Sequence, residues 1–141
     1  MKRQIVSILG VFGLLLVAAC ANAQSVNVKA NVPFDFVVGN GTLPAGAYSI
    51  ESVNAEIGSP TLLIRNARKP LELVNSNIAD KSSPAKSTHL LFHRYGDKYF
   101  LSQIWMEGAT TGRQFRMSRR EAEIAKNLQP SEDVIVLAAL R

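Results

Sequence analysis

The chain contains one cysteine, Cys20, and two histidines, His89 and His93. Cys20 lies in an N-terminal segment expected to be removed, so the remainder would hold no thiol. A disulfide framework, a cysteine-based zinc site and a thiol nucleophile are thereby excluded. His89 and His93 fall four apart on a predicted strand, which sets them on one face but roughly 13 Å apart along it. One metal ion cannot bridge that distance, and neither histidine has an Asp, Glu or His two residues away. Both are read as structural or surface residues, with no metal site and no cofactor. The G-x-S-x-G elbow is missing, as is any local Cys–His arrangement. The glycine-containing run Gly108–Gly112 lacks the lysine and spacing of a phosphate-binding loop and reads as a connection. Asp35, Glu51, Glu56, Glu72, Asp97 and Glu107 could supply paired acids, but nothing in their spacing selects two of them. No catalytic residue is assigned.

What is present begins with an address. Lys2 and Arg3 precede an apolar run from Ile5 to Ala19, and Ala21-Asn22-Ala23 follows with small residues at the positions a leader peptidase inspects. A charged n-region, an apolar h-region and an A-x-A site in this order predict a signal peptide over residues 1–23. Its uncharged stretch is barely the ~20 residues needed to span a bilayer. Val17-Ala18-Ala19-Cys20 also resembles a lipobox, which would make Cys20 a lipidated first residue and anchor the protein to a membrane. Cleavage after Ala23 is favoured, because leucine is usual where Val17 stands and only a short tether would separate Cys20 from the first strand. The protein is therefore expected in the periplasm or outside the cell, with a membrane-anchored lipoprotein as the alternative.

Without Lys2 and Arg3, the 16 basic residues fall to 14 against 11 acids, a net charge of +3. That excess is too small to argue for nucleic acid. Residues 24–141 suffice for a single domain with its own core.

From Val26 to Val38 every even position is apolar, the period of a half-buried strand. One straight strand of that length would exceed a small domain, so Pro33, which lacks an N–H, is expected to hinge two strands, 26–32 and 34–38. Gly39-Asn40-Gly41 signals a turn. Further strands are predicted over 47–53, 61–66, 71–78, 88–94 and 98–106, with Tyr95-Gly96-Asp97 as the clearest hairpin. Ala79–Ser87 reads as a mobile surface loop. The last strand, 133–140, is apolar on both faces and is expected in the middle of a sheet.

Ser118-Arg119-Arg120-Glu121 fits a capping box, with Glu121 reaching back to the Ser118 N–H, and predicts a helix from Arg119 to Leu128 ahead of Pro130. Arg113, Arg116, Arg119 and Arg120 lie within eight residues that contain no acid. Guanidinium groups at this density suit phosphate or carboxylate on an envelope polymer, and these four are the candidate ligand-binding residues. The plainer reading is a solvated turn and helix start, paired with Glu121 and Glu123. Tyr95, Tyr99, Phe100 and Trp105 cluster about the hairpin and are expected to supply core more than a binding platform.

Five pieces in order, Val32-Pro33-Phe34-Asp35-Phe36, Leu43-Pro44-Ala45-Gly46-Ala47-Tyr48, Leu91-Phe92-His93-Arg94-Tyr95-Gly96, Tyr99-Phe100-Leu101 with Trp105, and Ser118-Arg119-Arg120-Glu121, resemble a group of small exported bacterial proteins. That group has no established activity or binding residues, so the resemblance implies export but no function. The expectation is an all-β domain, an antiparallel β-sandwich or partly open barrel of about eight strands with one short C-terminal helix. Its expected role is non-catalytic, binding or structural, in the cell envelope. Its partner would be an anionic envelope polymer or another envelope protein. A small exported hydrolase, using carboxylates or a dispersed Ser–His pair, is the alternative.

Overall fold

The computed structural model describes residues 25–54, 60–127 and 131–140. The expected leader, Ala23 and Cys20 lie outside them, as do Leu128 and Pro130. Among the described residues no helix is long and apolar enough to cross a membrane.

The alternation that opens the chain forms β1 (Asn27–Val32), with Val28, Ala30 and Val32 buried and the residues between them facing out. The chain then bends at Pro33 and Phe34 and re-enters as β2 (Phe36–Val38), which belongs to a different part of the sheet. Pro33 therefore acts as the expected hinge. Gly39, at φ 58°, makes the tight turn into β3 (Gly41–Leu43), a strand too short to be read from its pattern. β4 (Gly46–Ser52), β5 (Thr61–Asn66), β6 (Lys69–Asp80), β7 (His89–Tyr95) and β8 (Lys98–Trp105) follow, then β9 (Thr111–Phe115), helix α1 (Arg119–Asn127) and β10 (Glu132–Leu140).

Eight of these strands close on themselves in the order β8-β7-β10-β1-β4-β5-β6-β9, every neighbour antiparallel, with β9 returning to β8. β2 and β3 form an extra flap hung on β8 through Val37 and Phe100. The domain is all-β as expected, and its barrel is closed. Two long strands make the corners. β6 pairs with β5 as far as Asn75 and with β9 from Ser76 onward. β10 likewise pairs with β7 up to Leu137 and with β1 from Ala138. A register shift in the β7–β8 ladder leaves Ser102 as an extra residue, so Leu101 and Ile104, three apart, both face inward.

Inward residues from every barrel strand fill the interior with side chains as a packed core. Its aromatic centre is Phe92, edge-on to Phe34 at 5.0 Å and to Phe36 at 5.3 Å between centroids. Phe100, Tyr95 and Trp105 are buried, and Tyr99 stacks on Phe34 at 3.7 Å, so the hairpin aromatics supply buried packing more than a platform, as expected, though not all of it inside the barrel. Trp105 belongs to a satellite cluster on the barrel's outside with Ala79 and Ala85. The segment read as a mobile loop is tied down over this cluster. The Lys81 N–H donates to the Thr110 carbonyl at 2.8 Å, Ala85 and Ala109 bond at 2.9 Å, and Lys81 Nζ lies 4.1 Å from the Trp105 ring.

The closing seam is short, resting on Gln103 opposite Gln114 and Ile104 opposite Arg113. Gly112 permits it. A methyl at that position would stand 2.6 Å from the Ile104 carbonyl oxygen and 2.7 Å from the Trp105 ring. Gly112→Ala is therefore expected to cost about 1–3 kcal/mol through overpacking, read as a lower urea midpoint with an unchanged slope. A midpoint equal to wild type would show that the seam yields.

Two expectations need correction. β10 does have strands on both sides, but it is not buried on both faces. Val134, Val136 and Ala138 pack half-buried on the core, while Ile135 is 59% and Leu137 70% exposed. A barrel has one inside, so a strand apolar on both faces must expose one of them. The Gly108–Gly112 run and the arginine after it are not all connection, since Thr111–Phe115 is β9, the strand that completes the closure.

Candidate functional site

Residues of β10, β1, β4 and β5, together with Ala67 in the turn after β5, line a groove of about 690 Å³. Register sets its chemistry. Ala139 lies opposite Lys29, Lys29 opposite Ser49, and Ser49 opposite Arg65. One cross-strand row thus reads Ala139–Lys29–Ser49–Arg65, with both cations on the outward face of their strands. Two strand spacings separate them, about 10 Å between backbones. The neighbouring positions are Asn31, Asn66, Ala47, Ala67 and Leu137, two amides among small or apolar side chains. Among the described residues, no carboxylate lines the groove. An ammonium and a guanidinium flanking a hydroxyl suit a carboxylate or phosphate, with the guanidinium able to bind two oxygens at once.

The four arginines proposed from the sequence are not brought to one point. Arg113 lies in β9, only 8% exposed, with Ile78 and Ile104 as its ladder partners. Arg116 lines a cavity of about 580 Å³ together with Glu72 and the Gly39-Asn40 turn. Arg119 and Arg120 line a separate one of about 310 Å³ with Ser118, Glu123 and the same turn. Arg120 Nη1 also reaches Thr42 Oγ1 at 3.5 Å. Each of these two cavities includes a carboxylate in its own wall, which opposes an incoming anion. The β10–β1–β4–β5 groove does not.

A third cluster fixes the helix. Ser118 Oγ accepts the Glu121 N–H at 3.0 Å, as an N-cap should. The other half of the expected capping box is absent, because the Glu121 carboxylate turns inward. Its Oε1 accepts His93 Nδ1–H at 3.0 Å and the Tyr95 hydroxyl at 3.2 Å. Glu121 is 5% exposed and is the one buried residue among the described helix positions, so α1 is docked through a carboxylate. The other ring nitrogen of His93 faces Asp133 Oδ1 at 3.9 Å. The hydrogen bond to Glu121 holds the His93 imidazole above its ordinary 6.5, against the opposing effect of burial, and the charges of Glu121 and Asp133 add to it. Burial, chiefly, raises the Tyr95 phenol.

His89 is separate from this cluster. Its Nδ1–H donates to the Ser87 carbonyl at 2.9 Å, so the same nitrogen cannot act as base toward the Ser87 hydroxyl 3.3 Å away.

Sequence reasoning missed Lys29, Ser49 and Arg65 as a group. The one available signal was that Lys29 occupies an outward position in the alternating β1 run; its neighbours depend on strand order. Compared with known proteins, the chain matches no family model, no curated protein sequence and no solved structure.

Proposed function

We propose that this protein is an exported, non-catalytic binding module of the cell envelope, and that its ligand presents an anionic group to the Lys29–Ser49–Arg65 row. The observation carrying this reading is a groove of about 690 Å³ whose lining, among the described residues, holds two cations and no carboxylate. Its volume lies within the ~300–1,000 Å³ usual for small-ligand sites. The signal-like leader and the resemblance to exported bacterial proteins support the location. The arginines about the Gly39-Asn40 turn are the competing site for the same chemistry.

The two are separated by titrating the protein with inorganic phosphate and with butyrate while following backbone amide shifts. Perturbations are expected at residues 29–31, 47–49, 65–67 and 137–139. Replacing Lys29 and Arg65 together by alanine should weaken binding about tenfold or more, since each charge-assisted hydrogen bond is worth ~1.5–3 kcal/mol. The triple change of Arg116, Arg119 and Arg120 to alanine should leave it unaltered. The reverse pattern would move the site to the arginines.

A further inference from the structure

We infer that the ligand of this groove is a single-chain anionic amphiphile: its acid head lies between Lys29 and Arg65, and its hydrocarbon chain runs along the outer face of β10. This rests on the groove reading and adds the nature of the rest of the ligand. Leu137, 70% exposed, lines the groove, and Ile135, 59% exposed, is the next outward residue on the same strand. Ile135 lies opposite half-buried Leu91 of β7, which extends the apolar track across the neighbouring strand.

The track and the cations are continuous. Ala139 stands beside Lys29, and Ala139, Leu137 and Ile135 succeed one another on one face at about 7 Å intervals. An acid head at Lys29 therefore places its first methylenes on Ala139 and Leu137 and later ones on Ile135. Charge at one end and successive exposed apolar side chains at the other complement an amphiphile. A purely polar anion would leave Ile135 and Leu137 in water. Elsewhere, the Asp133–His93–Glu121 cluster bounds the track at the β10 N-terminal end with carboxylates, so the anionic head is directed to the Lys29 end.

The test compares butyrate with dodecanoate, measured below the micelle concentration by amide-shift titration and calorimetry on the whole protein. Dodecanoate is expected to bind at least about a hundredfold tighter, from the apolar area its longer chain covers. Shifts should extend from Lys29 to Ile135 and Leu91. Ile135→Ser with Leu137→Ser should reduce dodecanoate affinity at least about tenfold, and Ile135→Ser alone, outside the groove lining, should lower it while leaving butyrate unchanged; thermal melting confirms that these exposed changes keep the fold. Dodecyl trimethylammonium should not compete.

Equal affinity for the two acids would overturn this inference while leaving the anion site intact. Binding of neither would remove both. Sedimentation showing a dimer that the same double change dissociates would assign the apolar track to a second copy of the chain, and the amphiphile would be wrong.

Discussion

Phe92→Ala is expected to remove about 3–5 kcal/mol of stability, the range for truncating a fully buried phenylalanine. Phe92 is inaccessible to solvent and is in edge contact with both Phe34 and Phe36. Phe34 lies in the bend after β1 and Phe36 opens β2, so Phe92 holds the departure from β1 and the flap of β2 against the barrel. The loss therefore has two parts, a cavity in the core and a loosened flap. Domains of this size have ~5–15 kcal/mol in all, and the variant should sit close to unfolding at ordinary temperature. Urea denaturation gives the magnitude, and amide exchange over residues 34–43 reports the flap. A loss under about 1 kcal/mol would mean that the interior repacks around the missing ring.

Glu121→Ala should cost about 2–3 kcal/mol near pH 6, because a buried carboxylate that accepts from a charged imidazole and a phenol is lost. The pH dependence identifies the cause. The folded chain holds the His93 proton more tightly than the unfolded chain, whose imidazole titrates near 6.5. This contribution is complete below 6.5 and disappears as the pH climbs through the higher folded-state value. Wild-type stability should therefore fall across neutral to mildly alkaline pH. Glu121→Gln keeps an acceptor for Tyr95 but removes the charge, so its stability should be much flatter over that interval. Amides of α1 should exchange faster in Glu121→Ala than in wild type, since among the described helix residues only Glu121 is buried. A wild-type slope retained in Glu121→Gln would assign the pH dependence to another group. A separate decline above pH 10 is expected from Tyr95, whose phenol is also held protonated in the fold.

Most strands were legible because alternation is a local signal. Thr61–Asn66 needed no adjustment, and Gly96 at φ 64° makes the Tyr95–Lys98 hairpin expected from Tyr95-Gly96-Asp97. β3 was invisible because three residues show no period. β9 was hidden because Thr111-Gly112-Arg113 is polar or small; its burial comes from Trp105 covering Gly112 and from Ile104 across the ladder. Glu121 was legible as a helix-start residue but not as a dock, because the histidine and tyrosine that receive it lie 28 and 26 residues earlier.

The amino-acid sequence by itself determined the strand-rich class, the hinge at Pro33, the hairpin turns and the placement of the helix, since each depends on residues within a few positions of one another. Closure of the barrel, the exposure of Ile135 and Leu137, and the meeting of Lys29 with Ser49 and Arg65 were decided only in three dimensions. Strand order and register are set by how distant ribbons share one interior, and no short stretch of chain contains that information.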